Sequence, residues 1–106
     1  MNNYELIEKK YLDNNIVDFK FKTADEVRAV LGFDFRTMRG FKDLSEEHKK
    51  KAEILICMYL NRWGLETRLE KRPSSIKYCV ENKTEYFKVT IKNGGFSKLL
   101  FDGSIA

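Results

Sequence analysis

Cysteine, histidine and proline are scarce in this 106-residue sequence, which holds two cysteines, one histidine and one proline. A small secreted domain usually carries about four to eight cysteines in disulfides, so two argue against a disulfide-stabilised fold. Cys57, Cys79 and the single histidine, His48, do not assemble a zinc site of ordinary ligand number and spacing. We therefore expect no metal and no cofactor.

Long apolar segments are also absent. The longest unbroken apolar run, Ile54 to Leu60, is much shorter than the roughly 20 residues that span a bilayer. The first residues, MNNYELIEKKYLD, are charged and lack the apolar core of a secretory signal. We find no repeat and no linker, so these patterns predict a single α+β domain over residues 1–106 in the cytoplasm, without membrane contact.

Positive charge is concentrated in the second part of the chain. The net charge is +4, and residues 1–43 hold eight basic and eight acidic side chains, whereas residues 44–106 hold twelve and eight. An excess of this kind fits a polyanionic partner. It is also common in lysine-rich proteins that bind no nucleic acid, so charge alone does not decide the function.

Helical patterns occur in three places. Residues 3–12 carry apolar side chains at helical spacing, and Thr23 with Glu26 forms a capping box for a short helix that Gly32 would end. The longest predicted helix covers residues 44–63, with Asp43 or Ser45 as its N-cap and Gly64 as its stop. Its main apolar face consists of Ala52, Leu55, Ile56, Tyr59 and Trp63.

The same helix is apolar beyond that face, because Ile54, Cys57 and Met58 lie off it. Either both sides of the helix are covered within the fold, or one side is a docking surface. A homodimer through residues 54–63 is one way to cover it.

Strand patterns fill most of the remaining sequence. Residues 16–21 and 65–72 alternate apolar and polar side chains, Pro73–Ser75 reads as a turn, and residues 76–92 read as a hairpin about Asn82 and Lys83. A second turn at 93–95 leads into a last strand. The expected fold is α+β, with two or three helices packed on one face of a mostly antiparallel sheet of four to five strands.

Both hairpins can be aligned so that their apolar residues share one face. The pairs predicted in this way are Val80 with Glu85, Tyr78 with Phe87, Ile76 with Val89, Val89 with Leu99, and Phe87 with Phe101. The opposite face then holds lysines and aromatic residues, and it places Lys77 across from Lys88 at a small electrostatic cost. That face contains Lys77, Cys79, Tyr86, Lys88, Thr90, Lys92, Phe96 and Lys98.

Lysines and aromatic rings on one sheet face resemble, in kind, the surfaces that neutralise phosphates and stack bases. The alternative is a solvated outer face whose lysines protect the sheet edges. If the face binds nucleic acid, the contact residues are Lys77, Tyr86, Lys88, Lys92 and Lys98.

A second candidate surface is the segment FDFRTMRGF, Phe33–Phe41, which is unusually apolar for a connection between helices. We expect Phe33 and Phe41 to pack into the core. The other large side chains are harder to bury together, and arginine, phenylalanine and methionine are enriched at protein interfaces. The predicted contact residues are Phe35, Arg36, Met38 and Arg39.

No catalytic arrangement is evident, since a nucleophile pair would depend on His48 in a lysine-rich helix and no phosphate-binding loop is present. We expect a small non-catalytic binding module that contacts nucleic acid or a nucleic-acid-handling protein complex. The alternative is a protein–protein inhibitor or adaptor of the kind carried by phages or mobile elements, for example an anti-CRISPR-type protein, docking through Phe33–Phe41. A winged helix with the Asn82 hairpin as its wing is a further option.

Overall fold

The computed structural model of the protein describes residues 20–63, 65–92 and 94–106. Its helices are α1 (Ala24–Leu31), α2 (Glu46–Leu60) and the short α3 (Leu65–Glu70), and two 3₁₀ turns, Phe35–Thr37 and Phe41–Asp43, connect α1 to α2. Strands β1 (Pro73–Glu81), β2 (Thr84–Ile91) and β3 (Phe96–Leu100) form an antiparallel sheet in the order β1-β2-β3.

The α+β class is confirmed, but the expected four to five strands are three in the described part of the chain. The predicted helix at 3–12 and nearly all of the predicted strand at 16–21 lie outside the described residues. Lys20 and Phe21, at the end of that segment, are described and are not in a strand.

The capping box predicted for α1 is confirmed. The Thr23 hydroxyl accepts a hydrogen bond from the Glu26 N–H at 3.2 Å, and a Glu26 carboxylate oxygen accepts one from the Thr23 N–H at 3.1 Å. Gly32 ends the helix with a φ of 80°, a left-handed conformation that glycine adopts without a steric penalty.

Helix α2 is shorter than predicted. Ser45 caps it by accepting a hydrogen bond from the His48 N–H at 3.1 Å, but the helix ends at Leu60 and not at Gly64. The amide side chain of Asn61, the residue after the helix, bonds to both the N–H and the C=O of Phe21, at 2.7 and 2.9 Å. Asn61 thereby holds the start of the described chain against the end of α2.

The predicted strand at 65–72 is wrong, since Leu65–Glu70 forms α3. In a segment this short, alternation and helical spacing are hard to tell apart, and Leu, Glu and Arg all favour helices. Arg68 is fully buried on α3, where its Nε donates to the Leu60 carbonyl at 2.8 Å and its guanidinium lies 4.7 Å from the centre of the Phe21 ring. These tertiary contacts stabilise the helical alternative.

The first hairpin has the predicted register, with Tyr78 opposite Phe87 and Ile76 opposite Val89. Its two turn residues, Asn82 and Lys83, adopt φ values of 51° and 66°, as a tight two-residue turn requires. The turn expected at Pro73–Ser75 is instead the irregular start of β1. Proline is tolerated there because a first strand residue need not donate to the ladder.

The second hairpin is displaced by two residues from the prediction. Phe87 lies opposite Leu99, and Val89 lies opposite Ser97. The last pair of the ladder is Thr90 with Phe96, so the loop between the strands is two residues longer than the expected three-residue turn at 93–95. A shift of two keeps every side chain on its predicted face. The far edge of β3 pairs with the last residues, since Lys98 and Ala106 exchange two backbone hydrogen bonds at 3.0 and 3.1 Å.

The core lies between the helices and one face of the sheet. Tyr59 on the main apolar face of α2 is buried, as predicted, together with Cys57, whereas Trp63 lies beyond the helix and is half-buried. The buried residues that this face of α2 and the inner sheet face contribute are Ala52, Leu55, Ile56, Tyr59, Ile76, Phe87, Val89, Ile91 and Leu99. The opposite sheet face is therefore turned away from the helices.

Candidate functional site

The outer sheet face, defined by Ser75, Lys77, Cys79, Tyr86, Lys88, Thr90, Phe96 and Lys98, carries a row of three lysines. Lys77 lies directly across from Lys88, as predicted, and Lys88 lies directly across from Lys98. Neighbouring strands are about 4.8 Å apart, so the row spans roughly 10 Å. The longer second turn produces this alignment, since the predicted register would have placed Lys98 opposite Thr90.

Two of the three lysines lie over aromatic rings on the same face. The ammonium of Lys88 is 4.6 Å from the centre of the Phe96 ring, and that of Lys98 is 5.1 Å from the centre of the Tyr86 ring. Phe96 is 54% exposed, which is unusual for a phenylalanine on a sheet. The face thus presents two ammonium groups that lie over aromatic rings.

One carboxylate, that of Glu81, faces this row. It lies 3.4 Å from the Lys98 ammonium and 3.4 Å from the Tyr86 hydroxyl. Local desolvation, and then the neighbouring Cys79 and Glu81, raise the pKa of Tyr86. Among the described residues, Lys77 and Lys88 have no carboxylate within ion-pair distance.

The Phe33–Phe41 segment is largely core. Phe33 and Phe41 are buried as predicted, but Phe35 is also buried, at 1% exposure, with its ring edge-on to Phe41 at 6.3 Å. Phe35 is therefore buried, contrary to the exposure that its prediction as a contact residue assumed. Phe35 is the first residue of a 3₁₀ turn, and its ring packs in the core.

Arg36 is held by two carboxylates of its own chain. Its guanidinium donates to Asp25 at 2.8 Å and to both oxygens of Asp34 at 2.8 Å each. Hydrogen bonds from Arg36 hold the pKa of Asp34 below its ordinary value. To contact a binding partner, as predicted, the Arg36 guanidinium would have to leave these carboxylates. In the free protein its bonds connect Asp25 of α1 to the Phe33–Phe41 segment.

Arg39 and Met38 differ in accessibility. Met38 is half-buried and packs against the core, whereas Arg39 is exposed. The Arg39 carbonyl accepts a hydrogen bond from the Ile76 N–H at 2.9 Å, which attaches the segment to the edge of β1. Arg39 thus lies next to the sheet and remains a contact candidate.

Two adjoining clefts lie where the segment meets β1. The larger, which we call the edge cleft, encloses about 700 Å³ and includes Arg39, Ser74, Lys77 and Thr90 in its lining. The smaller, the basic cleft, encloses about 410 Å³ and is lined in part by Arg39, Ser74 and three further residues. Those three are Phe33, Arg72 and Lys92. Because Arg39 and Ser74 line both clefts, a groove connects the outer sheet face to the Phe33–Phe41 segment.

Lys92 and Arg72 belong to this groove and not to the lysine row. Lys92 follows the last residue of β2, and its N–H donates to the Arg72 carbonyl at 3.0 Å. The Arg72 guanidinium lies 4.7 Å from the centre of the Phe33 ring. The sequence patterns did not identify Arg72 as a candidate contact residue. Its place in the cleft depends on where the fold brings Phe33, which is distant from it in sequence.

Helix α2 leaves two apolar side chains exposed. Ile54 and Met58 are 54% and 44% exposed, whereas Cys57, grouped with them by sequence, is buried. Burial, followed by the nearby carboxylates of Glu53 and Glu26, raises the pKa of Cys57 to about 12. The exposed apolar area on α2 is thus smaller than the sequence suggested.

His48 lies in an aromatic cluster. Its ring stacks on Tyr78 with 4.2 Å between centres, and Phe87 and Phe101 approach it at 6.0 and 5.7 Å. Within the described residues, no cluster of three or more His, Cys, Asp or Glu side chains is arranged to hold a metal ion. No helix in that part of the chain has the length and apolarity needed to cross a membrane.

No protein-family model matches the chain, and neither the curated proteins nor the solved structures contain a match. Any function therefore has to be inferred from the site itself, because the fold class by itself does not define one. The lysine row with its aromatic partners and the groove that leads from it are the surfaces available for that inference.

Proposed function

We propose that this protein is a non-catalytic module that binds single-stranded nucleic acid on its outer sheet face. The observation that carries the proposal is the row of Lys77, Lys88 and Lys98, which brings three like charges together across all three strands. Directly opposed like charges cost the fold a few tenths of a kcal/mol or more, so a bound anion would relieve a tension in the free protein.

The aromatic residues support a single strand as the ligand. Lys88 lies over exposed Phe96 and Lys98 over half-buried Tyr86, and a base can take the place of an ammonium group over either ring while that group turns to a phosphate. Bases in a duplex are already stacked on each other and are not available for these rings. We therefore expect single strands to bind more tightly than duplexes of the same sequence.

Fluorescence anisotropy with labelled single- and double-stranded oligonucleotides tests the proposal. If the three lysines each neutralise one phosphate, the slope of log K against log salt for a single strand is about −2. Raising the salt from about 50 to 200 mM should then weaken binding roughly twentyfold. No binding at low salt, or binding that salt does not change, would contradict the proposal.

The second candidate function is a protein–protein inhibitor or adaptor that docks through the Phe33–Phe41 segment. Exposed Arg39 and half-buried Met38 favour it, but buried Phe35 and the internally bonded Arg36 leave this surface smaller than expected. A partner bound there should tolerate salt and lose affinity on Arg39→Ala, while Lys88→Gln should have no effect. Nucleic acid on the outer face should instead respond to salt and lose affinity on Lys88→Gln.

A further inference from the structure

The basic cleft has more positive than negative charge in its lining. Arg39, Arg72 and Lys92 line it, and Asp34 is its one acidic residue among those described. Both oxygens of Asp34 already accept hydrogen bonds from Arg36, whose other partner is Asp25. In the described part of the chain, no carboxylate lies within 4.0 Å of the three cations.

The backbone of all three cationic residues is fixed by hydrogen bonds, and the Arg72 side chain also has a ring contact. Arg72 lies over the Phe33 ring, and the Lys92 N–H bonds to the Arg72 carbonyl. The Arg39 carbonyl is bonded to the Ile76 N–H of β1. A planar guanidinium fixed over an aromatic ring keeps its edge available for a bidentate contact, for which phosphate oxygens have the right geometry.

We infer that the basic cleft binds the terminal phosphate of a nucleic-acid strand that lies on the outer sheet face, an inference that rests on the proposed function. A terminal phosphate carries a charge of about −1.5 to −2 near neutral pH, whereas an internal phosphodiester carries about −1. Three cations without a carboxylate partner among the described residues therefore favour the terminal group. The edge cleft supplies the path, since Lys77 and Thr90 of the outer face line it together with Arg39.

Anisotropy competition tests the inference with one single-stranded sequence in three forms: 5′-phosphorylated, 3′-phosphorylated and without a terminal phosphate. One phosphorylated form should bind at least about fivefold more tightly than the form without phosphate. Arg72→Gln should bring that ratio toward one. Arg62→Gln is the matched control, because Arg62 is exposed after the end of α2 and does not line the cleft, so it should leave the ratio unchanged.

Failure of this inference can be separated from failure of the proposed function. If the three forms bind equally, the outer face retains its ligand and the cleft inference is overturned. If no form binds, the proposed function fails, and a nucleoside 5′-monophosphate is titrated against ¹⁵N-labelled protein with the unphosphorylated nucleoside as its control. Saturable shifts of the Arg72 and Lys92 amides with the monophosphate alone then support a phosphate site, and their absence overturns it.

Discussion

Gly40 lies so close to Ile76 that a Cβ atom added to it would overlap the Ile76 carbonyl oxygen. Gly40 also has a φ of 91°, which other residues adopt only with strain. Gly40→Ala should therefore destabilise the protein by roughly 2 kcal/mol or more, measured by urea unfolding. Gly94→Ala is the matched control, because Gly94 has a φ of 96° but no atom near its added Cβ, and about 1 kcal/mol is expected there. Equal losses for the two variants would show that the contact with β1 is unimportant.

Arg36→Ala should destabilise the fold by about 1 kcal/mol, a value reduced because the side chain is partly exposed. Arg36 lowers the pKa of Asp34, so the stabilisation is complete above the ordinary aspartate pKa of about 3.9 and is lost as the pH falls through the lowered value. Urea unfolding of Arg36→Ala and of the unchanged protein should be measured at pH 7, 5 and 3. The difference between their free energies of unfolding should become smaller only at pH 3.

Arg28→Ala provides the control for Arg36, because it removes the same type of side chain from the same carboxylate, Asp25. Its guanidinium is 3.6 Å from Asp25, and both side chains are more than half exposed. Such pairs contribute close to nothing, so the variant should unfold like the unchanged protein. A loss as large as that of Arg36→Ala would mean that general charge balance, and not the bonds to Asp34, is responsible.

Lys88→Gln separates binding from stability. It removes the central charge of the lysine row and should weaken single-strand binding about fivefold and make the salt slope shallower by about 0.7. Its effect on unfolding should stay within about 0.5 kcal/mol, because relief of repulsion offsets the lost contact with Phe96. Lys22→Gln, which changes the same charge just before α1, should leave the affinity as it was. If both variants weakened binding equally, only net charge would matter.

The two cysteines should differ in reactivity. Cys57 is buried and its pKa is raised to about 12, so little reactive thiolate forms, whereas Cys79 is partly accessible on the outer sheet face. Under native conditions iodoacetamide should add one group, at Cys79, and in urea it should add two, as mass spectrometry would show. Cys79→Ser should give no native adduct, and a bound oligonucleotide should slow the reaction of Cys79. Rapid native modification of Cys57 would contradict the buried position.

Features set by a few neighbouring residues were predicted correctly. The Thr23–Glu26 capping box, the left-handed Gly32 and the Asn82–Lys83 turn all depend on local hydrogen bonds or backbone dihedral angles. The register of the first hairpin follows, because its two-residue turn leaves one alignment that buries the apolar side chains. The inward and outward faces of the sheet could be assigned for the same reason.

Features that depend on distant contacts were not predicted. The turn after Thr90 permits two registers that bury the same side chains, and only the folded chain selects the one that completes the lysine row with Lys98. The Arg72 guanidinium over Phe33 likewise joins residues far apart in sequence.

Spacing within a few residues was enough to predict the α+β class, the caps of α1, the first hairpin and a lysine-bearing sheet face. Tertiary structure alone decided that 65–70 is a helix, that Phe35 is core, and that Arg39, Arg72 and Lys92 line one cleft. In these cases the neighbouring residues favoured no single backbone conformation or side-chain position. The packing of distant segments against each other then selected the conformation of lower free energy.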